Sequence, residues 1–191
     1  MVVWGGQIAG QSYCTVGSDN TAGARLATEH LLSLGRRHIA FLGDTQVPEL
    51  RLRYKGYCQA IAQGPRGTSP KRAISTHMTA DQAFDAVTGF LAKGAKLDGV
   101  LCATDVIAMS AIRAITAAGK RVPQDISVVG YDDLPLSAHT NPPLTTVRQP
   151  IQAGAHHLVD LLFRRMDGEP TASITMPAEL VIRESSGALL R

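Results

Sequence analysis

The stretch DGVLCATDVIAMSAIRAITAAGKRVPQDISVVGYDD, residues 98–133, contains two short apolar runs separated by a longer amphipathic segment. The runs DGVLCAT and ISVVGYD are bounded by turn-forming residues, a pattern that is typical of buried strands. Between them, Ile107, Ala111 and Ile115 recur at helical spacing, and the pattern stops before Gly119, as a helix C-cap requires. A strand, a helix and a second strand in this order predict a βαβ unit of a parallel sheet.

The same alternation continues on both sides of this stretch. Short apolar runs occur at HIAFLG and RAIST, and the chain opens on MVVWGG, which resembles a strand already under way. Further helical patterns run from Asn20 to Gly35, from Leu52 to Gly64, from Ala83 to Gly94 and from Ile151 to Gly168. The sequence therefore predicts the α/β class, with parallel sheets covered by helices.

Composition narrows the class of protein. A chain of 191 residues with 45% hydrophobic content can form one large domain or two small ones. The formal net charge is only +3 and the basic residues are scattered, so no nucleic-acid-binding patch is predicted. The three cysteines, Cys14, Cys58 and Cys102, lack CxxC spacing, which favours reduced thiols in a cytoplasmic protein. No apolar run approaches the length of a membrane span, and no signal peptide is evident.

Polar residues follow several of the predicted strands. Because ligands of open parallel sheets bind beyond the carboxyl ends of the strands, Arg53, Thr104, Asp105, Asp132 and Asp133 are candidate binding residues. Each also has an ordinary structural explanation. Thr104 or Asp105 could simply cap the helix that follows. Arg53 could be a solvated surface arginine, although a cation near a helix N-terminus opposes the dipole, and the two aspartates could form a turn.

Catalytic and metal-binding signatures do not appear in the sequence. HExxH, GxSxG, the P-loop and GxGxxG are all missing, and the six histidines show no metal-ligand spacing. We therefore expect no catalytic residue, no metal and no cofactor, and expect that the protein is not an enzyme.

An ordered series of motifs resembles the effector-binding core of the LacI/GalR (lactose-repressor type) family of bacterial transcription regulators. The series is VGSDNTAGARLATEHLLSLGRRHIAFLG, RLRYKGYCQAI, the stretch at 98–133, PPLTTVRQP and ELVIRESSG. The resemblance implies a periplasmic-binding-protein-like fold. In that fold, two Rossmann-like parallel-sheet subdomains are joined by three crossing strands and bind a small molecule, here expected to be a sugar, in the cleft between them. It also implies that residues 1–36 and 148–168 form part of the N-terminal subdomain, and 37–147 and 169–191 the C-terminal one.

The resemblance also assigns ligand-binding roles to individual residues. Arg53 matches the arginine that commonly binds a sugar hydroxyl or a carboxylate, and Asp132 matches the aspartate that accepts hydroxyls. Gln149 is expected at the crossing near the ligand. Further ligand-binding candidates lie at positions close to the expected ligand; they are Thr104, Asp105, Met78, where many members have an aromatic ring, and Trp4 from the other subdomain.

Family members begin with a helix-turn-helix that contacts operator DNA, and this chain shows no such motif. We expect DNA binding only through a helix-turn-helix outside this chain, and we expect the N-terminal subdomain to be incomplete. A homodimer is implied, with the helix Val106 to Ala117 as a candidate interface or as ordinary core packing. The alternative to a regulator is a periplasmic-type sugar-binding protein of a transporter, which has the same fold.

Overall fold

The computed structural model describes residues 1–7, 10–77 and 79–188. Its strands are β1 (Val2–Trp4), β2 (Cys14–Ser18), β3 (Ile39–Leu42), β4 (Ala73–Ile74), β5 (Gly99–Cys102), β6 (Ser127–Asp132), β7 (Thr145–Arg148), β8 (Ile174–Met176) and β9 (Glu179–Val181). Its helices are α1 (Asn20–Ser33), α2 (Pro48–Ala62), α3 (Ala80–Ala92), α4 (Asp105–Ala117) and α5 (Ile151–Met166), with 3₁₀ turns at Pro135–His139 and Glu184–Ser186. The predicted helices are all present.

The larger of two sheets has the strand order β4-β3-β5-β6-β7-β9 and is parallel except for the β7–β9 pair. From β3 the chain passes through α2 to β4 on one side, then returns through α3 to β5 on the other side. Right-handed crossovers that run in opposite directions place their helices on opposite faces of the sheet. The point where the direction reverses, between the carboxyl ends of β3 and β5, is where such sheets bind ligands.

Close packing of α1 on α2 fixes the helix that carries Arg53. At Gly56 of α2, a Cβ atom would overlap the carbonyl oxygen of Thr21 in α1, so only glycine permits this approach. The apolar side of α1, including Ala24, Ala27 and Leu31, is fully buried in the core of the larger sheet. The pairing of α1 with α2 therefore fixes the position of α2 and of Arg53, which it carries.

The smaller sheet has the order β1-β2-β8, entirely parallel, and packs against α5. Its core contains Val16, Leu161 and Met176, with Trp4 and Leu158 packed against it. The predicted α/β fold with two parallel sheets is confirmed. We call β1, β2, α5 and β8 the small unit, and the rest of the described chain the large unit.

The chain divides between the units at positions that differ from the predicted boundaries. Helix α1, within the predicted N-terminal segment 1–36, packs on α2 and belongs to the large unit. Strand β8, within the predicted C-terminal segment 169–191, pairs with β2 of the small unit. The physical reason is that the chain crosses between units directly before α1, between β7 and α5, and between β8 and β9. The boundaries therefore lie near residues 19, 149 and 177.

Candidate functional site

Arg53 lies on α2 with its side chain buried beneath the switch point of the large sheet. Its Nε donates a hydrogen bond to Asn20 Oδ1 at 2.8 Å, and its Nη1 donates to the carbonyl oxygen of Ala103 at 2.5 Å. Nη1 also lies 3.4 Å from Asp132 Oδ1. Only 5% of the residue is exposed, so Arg53 is not a solvated surface arginine.

Asp132 ends β6 and is joined to the small unit by a chain of hydrogen bonds. Its Oδ1 accepts a bond from Gln149 Nε2 at 2.7 Å, and Gln149 Oε1 accepts one from the Ser18 hydroxyl at 2.7 Å. Ser18 is the last residue of β2 in the small sheet. We call Ser18, Asn20, Arg53, Asp132 and Gln149 the cleft network; it lies at two of the three chain crossings.

Burial sets the electrostatics of Asp132. It raises the pKa of the carboxyl group to about 6, although the charge of Arg53 and the hydrogen bond from Gln149 both oppose the shift. A carboxyl group that ionises against such a penalty benefits from additional hydrogen-bond donors. Ligand hydroxyls would supply them.

Tyr131 gives Arg53 a rigid support. The centre of the guanidinium group lies 3.7 Å from the centroid of the Tyr131 ring, a cation–π contact in a buried setting. Burial raises the pKa of Tyr131 to about 12, so its hydroxyl stays neutral beside the carboxylate. With two hydrogen bonds and this contact, the orientation of Arg53 is fixed before any ligand binds.

Two cavities open beside the cleft network. One of about 600 Å³ lies next to Asp132 and Gln149 and reaches the first turn of α5, including Ile151. The other, of about 180 Å³, is lined by Gly5, Gly6, Ser18, Asn20 and Leu52, among others. The larger volume is in the range that holds small-molecule ligands.

The sequence and the fold both match known proteins. The model of the periplasmic binding protein-like domain family matches residues 28–186. The HTH-type transcriptional regulator CelR of Thermobifida fusca is 32% identical over 189 residues, which cover 96% of this chain and 56% of the relative. The ribose operon repressor of Halalkalibacterium halodurans is 34% identical over 174 residues, covering 90% and 52%. The chain thus spans about half the length of these curated relatives.

Solved structures agree with this result. The CelR–cellobiose complex superposes with a TM-score of 0.85 at 32% identity, covering 96% of this chain and 58% of that one. The chain belongs to the LacI/GalR family. The lac repressor dimer bound to operator and the anti-inducer ONPF also superposes, with a TM-score of 0.83 at 29% identity over 93% of this chain and 57% of that one. The matched region is the effector-binding core of the LacI/GalR fold.

In this LacI/GalR core, Thr104 and Asp105 have different roles. The Thr104 hydroxyl accepts a hydrogen bond from Ile107 N at 3.3 Å and caps α4, so the capping residue is Thr104 and its contact with a ligand stays a prediction. Asp105 is fully buried, which raises the pKa of its carboxyl group. That carboxyl group accepts hydrogen bonds from Leu134 N, from the Ser137 hydroxyl and from a threonine of β7. The prediction of Asp105 as a ligand-binding residue is corrected: its oxygens are occupied by protein donors.

Two further candidates of the LacI/GalR pattern have different outcomes. Trp4 packs against Gly154 of α5 and Met176 in the small core and is only partly buried, and its contact with a ligand stays a prediction. Gly154 leaves a gap in the surface of α5 that the indole ring fills. Met78 lies outside the described residues.

Sequence reasoning missed Ser18, Asn20 and Tyr131 as parts of the site. Ser18 ends β2 and Asn20 follows it; this five-residue strand contains Gly17 and was not recognised as a strand. Had it been recognised, the rule that ligands bind at the carboxyl ends of strands would have selected both residues. Tyr131 had no sequence signal of its own, because a buried tyrosine in a strand is ordinary.

Within the part of the chain that the structure describes, no helix combines the length and the apolar character needed to span a membrane.

Proposed function

We propose that this chain is the sugar-sensing and dimerisation core of a bacterial transcription regulator, with the effector bound in the cleft between the small and large units. The observation that carries the proposal is the cleft network, in which a buried arginine and a destabilised carboxylate meet a glutamine at the crossing between units. One relative is named a ribose operon repressor and one similar structure holds cellobiose, which favours a sugar as the ligand class.

The network has the groups that a polyhydroxylated ligand needs. Among the described residues, the side-chain hydrogen bonds of Asp132 all reach Oδ1, and those of Arg53 come from Nε and Nη1. Asp132 Oδ2 and Arg53 Nη2 therefore remain for a ligand, one as acceptor and one as donor. A sugar presents adjacent hydroxyls that can accept from the guanidinium group and donate to the carboxylate.

Regulation would follow from differential affinity. Asp132 and Arg53 belong to the large unit, whereas Ser18 belongs to the small one, and Gln149 connects them. A ligand that contacts groups of both units favours the conformation in which they are close together. This preference would be coupled to operator binding by a helix-turn-helix outside these residues.

The dimer would use the surface of α4. A groove of about 600 Å³ lies between α4 and the 3₁₀ turn that follows β6, lined by Met109, Ile112, Thr116 and Leu136, among others. Leu136 is 61% exposed, and an apolar groove of this kind is typical of a protein-binding surface. The similar lac repressor structure is a dimer, which supports a homodimer here. The buried residues of α4 meanwhile pack in the core, so the helix would serve both purposes.

Other function classes receive less support. A sugar-binding protein of a transporter would share the fold, but the curated relatives are transcription regulators. We propose a cytoplasmic binding protein without catalytic activity. The side chains of the cleft network are hydrogen-bond donors and acceptors suited to binding, and the network contains no nucleophile paired with a base.

Thermal unfolding against a panel of sugars and sugar phosphates tests the proposal. A ligand at 100 times its Kd should stabilise the protein by about 2.7 kcal/mol. We expect at least one sugar to raise the Tm of the wild type and of Asp85→Asn, an exposed carboxylate of α3, but not that of Asp132→Ala. Stabilisation that survives in Asp132→Ala, or a panel with no effect on the wild type, would refute the proposal.

A further inference from the structure

Two consecutive residues at the end of β6 have a left-handed backbone. The φ angles are 118° at Asp132 and 57° at Asp133, and among the described residues these are the non-glycine positions with positive φ. Aspartate tolerates this region better than most residues, but such a conformation persists only where the surrounding structure imposes it. Something must therefore hold the backbone of Asp132 in place.

Asp133 has the contacts to do so. Its Oδ1 accepts a hydrogen bond from Arg183 Nη2 at 2.6 Å, and its Oδ2 accepts one from Arg148 Nε at 2.7 Å. Arg183 is anchored in turn, since its Nη1 donates to the carbonyl oxygen of Leu144 at 2.7 Å. Both bonds are charge-assisted; the bond from Arg183 is partly buried, whereas the Arg148 side chain is 49% exposed.

The two arginines approach Asp133 from the last two strands of the large sheet, β7 and β9. Arg148 ends β7 directly before Gln149, where the chain leaves the large unit, and Arg183 follows β9, after the chain has returned. In the β6–β7 pairing, Asp132 lies opposite Arg148. The side-chain contacts Asp133–Arg148 and Asp132–Gln149 consequently lie on the two diagonals at the end of this strand pair.

We propose that Asp133 is a positioning residue of the effector site. Through Arg148 and Arg183 it fixes the left-handed backbone at the end of β6, and this directs the Asp132 carboxylate at Gln149 and Arg53. Asp133 and Arg148 also line the larger cavity, so the positioning role is read from the geometry of Asp132 without ligand and not from affinity alone. The role in effector affinity rests on the proposed function, whereas the positioning of Asp132 can be measured without any ligand.

NMR of the Gln149 side-chain amide measures the positioning. In the wild type this amide donates to a carboxylate at 2.7 Å. Its proton signals should therefore be shifted from those of a solvated glutamine, and its protons should exchange slowly with solvent. Asp133→Gly removes both ion pairs while glycine keeps φ of 57° accessible. We expect the Gln149 signals to move to the range of a solvated glutamine in this variant. Glu179→Gln removes only the exposed outer ion pair to Arg148, 3.5 Å long, and should leave the signals unchanged.

A wild-type Gln149 signal in Asp133→Gly, with the rest of the spectrum native, would overturn the proposal. If Asp133→Gly fails to fold, Arg183→Gln decides by the same signal, because it removes the inner ion pair and retains Asp133. A Gln149 signal in Arg183→Gln that moves to the range of a solvated glutamine supports the proposal, and one at the wild-type position overturns it.

A binding arm separates this inference from the proposed function. Cellobiose and ribose serve as the probes, each titrated into the wild type, Asp133→Gly and Glu179→Gln. For a sugar that binds the wild type, we expect the affinity of Asp133→Gly to be at least about tenfold lower, and that of Glu179→Gln to be unchanged. If neither sugar binds the wild type, the choice of sugar under the proposed function fails, while the Gln149 signal still decides the positioning role. Equal affinity in Asp133→Gly and the wild type would overturn the role in binding.

Discussion

Replacing Asp132 by asparagine should stabilise the protein at pH 7 and have little effect at pH 4. Burial raises the pKa of this carboxyl group from 3.8 to about 6 in the folded protein. A raised folded-state pKa means that the protonated form stabilises the fold below pH 3.8, and that this stability is lost as pH rises through about 6. Asparagine resembles the protonated carboxyl group in shape and charge and does not ionise.

The magnitude follows from the shift. A difference of about 2 pKa units, at about 1.4 kcal/mol per unit, corresponds to about 3 kcal/mol. The Asp132 side chain is 25% exposed, so solvent screening reduces this value only in part. We expect Asp132→Asn to exceed the wild type by about 1 to 3 kcal/mol in the free energy of unfolding above pH 7, and by almost nothing at pH 4.

Urea unfolding of both proteins between pH 4 and pH 8 measures the difference. Asp133→Asn is a matched control with the opposite sign. Burial opposes ionisation there too, but the hydrogen bonds and charges of Arg183 and Arg148 outweigh it and lower the pKa of Asp133. Its ionised form stabilises the fold at neutral pH, and this contribution is lost as pH falls through the folded pKa. A stability difference between Asp132→Asn and the wild type that does not change with pH would refute the reasoning.

Three further predictions concern packing, association and a buried hydroxyl. Gly154→Ala should destabilise the small unit by about 1 to 3 kcal/mol, because its Cβ would overlap the Trp4 ring. Gly89→Ala, with open space around it in α3, should stabilise the protein by about 0.5 to 1 kcal/mol, and thermal unfolding compares the two variants. Leu136→Asp should shift the proposed dimer towards monomer in sedimentation at micromolar concentration, and an unchanged dimer would exclude the α4 groove as the interface. Tyr57→Phe should cost about 1 to 3 kcal/mol, because the fully buried Tyr57 hydroxyl bonds the backbone of two neighbouring segments; chemical denaturation checks this, and a neutral change would contradict it.

Long amphipathic patterns made most of the fold predictable. The helix ending before Gly119 was clear because its apolar residues recur over about a dozen positions, and the strands around it were clear because each is an apolar run bounded by turn-forming residues. Strands β2 (CTVGS) and β8 (ITM) were not predicted, because neither is a continuous apolar run like the one that marked β5. Their pairing, which depends on contacts between residues far apart in the chain, decided where the two units divide.

The part of the site that could be predicted consists of residues at strand ends and of residues that match the family's motifs. Arg53, Asp132 and Gln149 lie together as the resemblance implied, but only the structure shows that Arg53 reaches Ala103 and Asn20. Asp105 is next to a capping residue and was indistinguishable from a ligand-binding group in sequence. Its burial results from Gly130 in β6, where a Cβ would overlap the Asp105 carboxylate.

The central claim, that a sugar is held by the Asp132 carboxylate in the cleft, is tested most directly by calorimetric titration. The sugar that most stabilises the wild type would be titrated at pH 7.5 into the wild type and Asp132→Asn. Loss of a charge-assisted acceptor predicts affinity at least about tenfold weaker in Asp132→Asn, in a protein that is itself more stable. Equal affinity in the two proteins would show that the ligand binds elsewhere and would contradict the account.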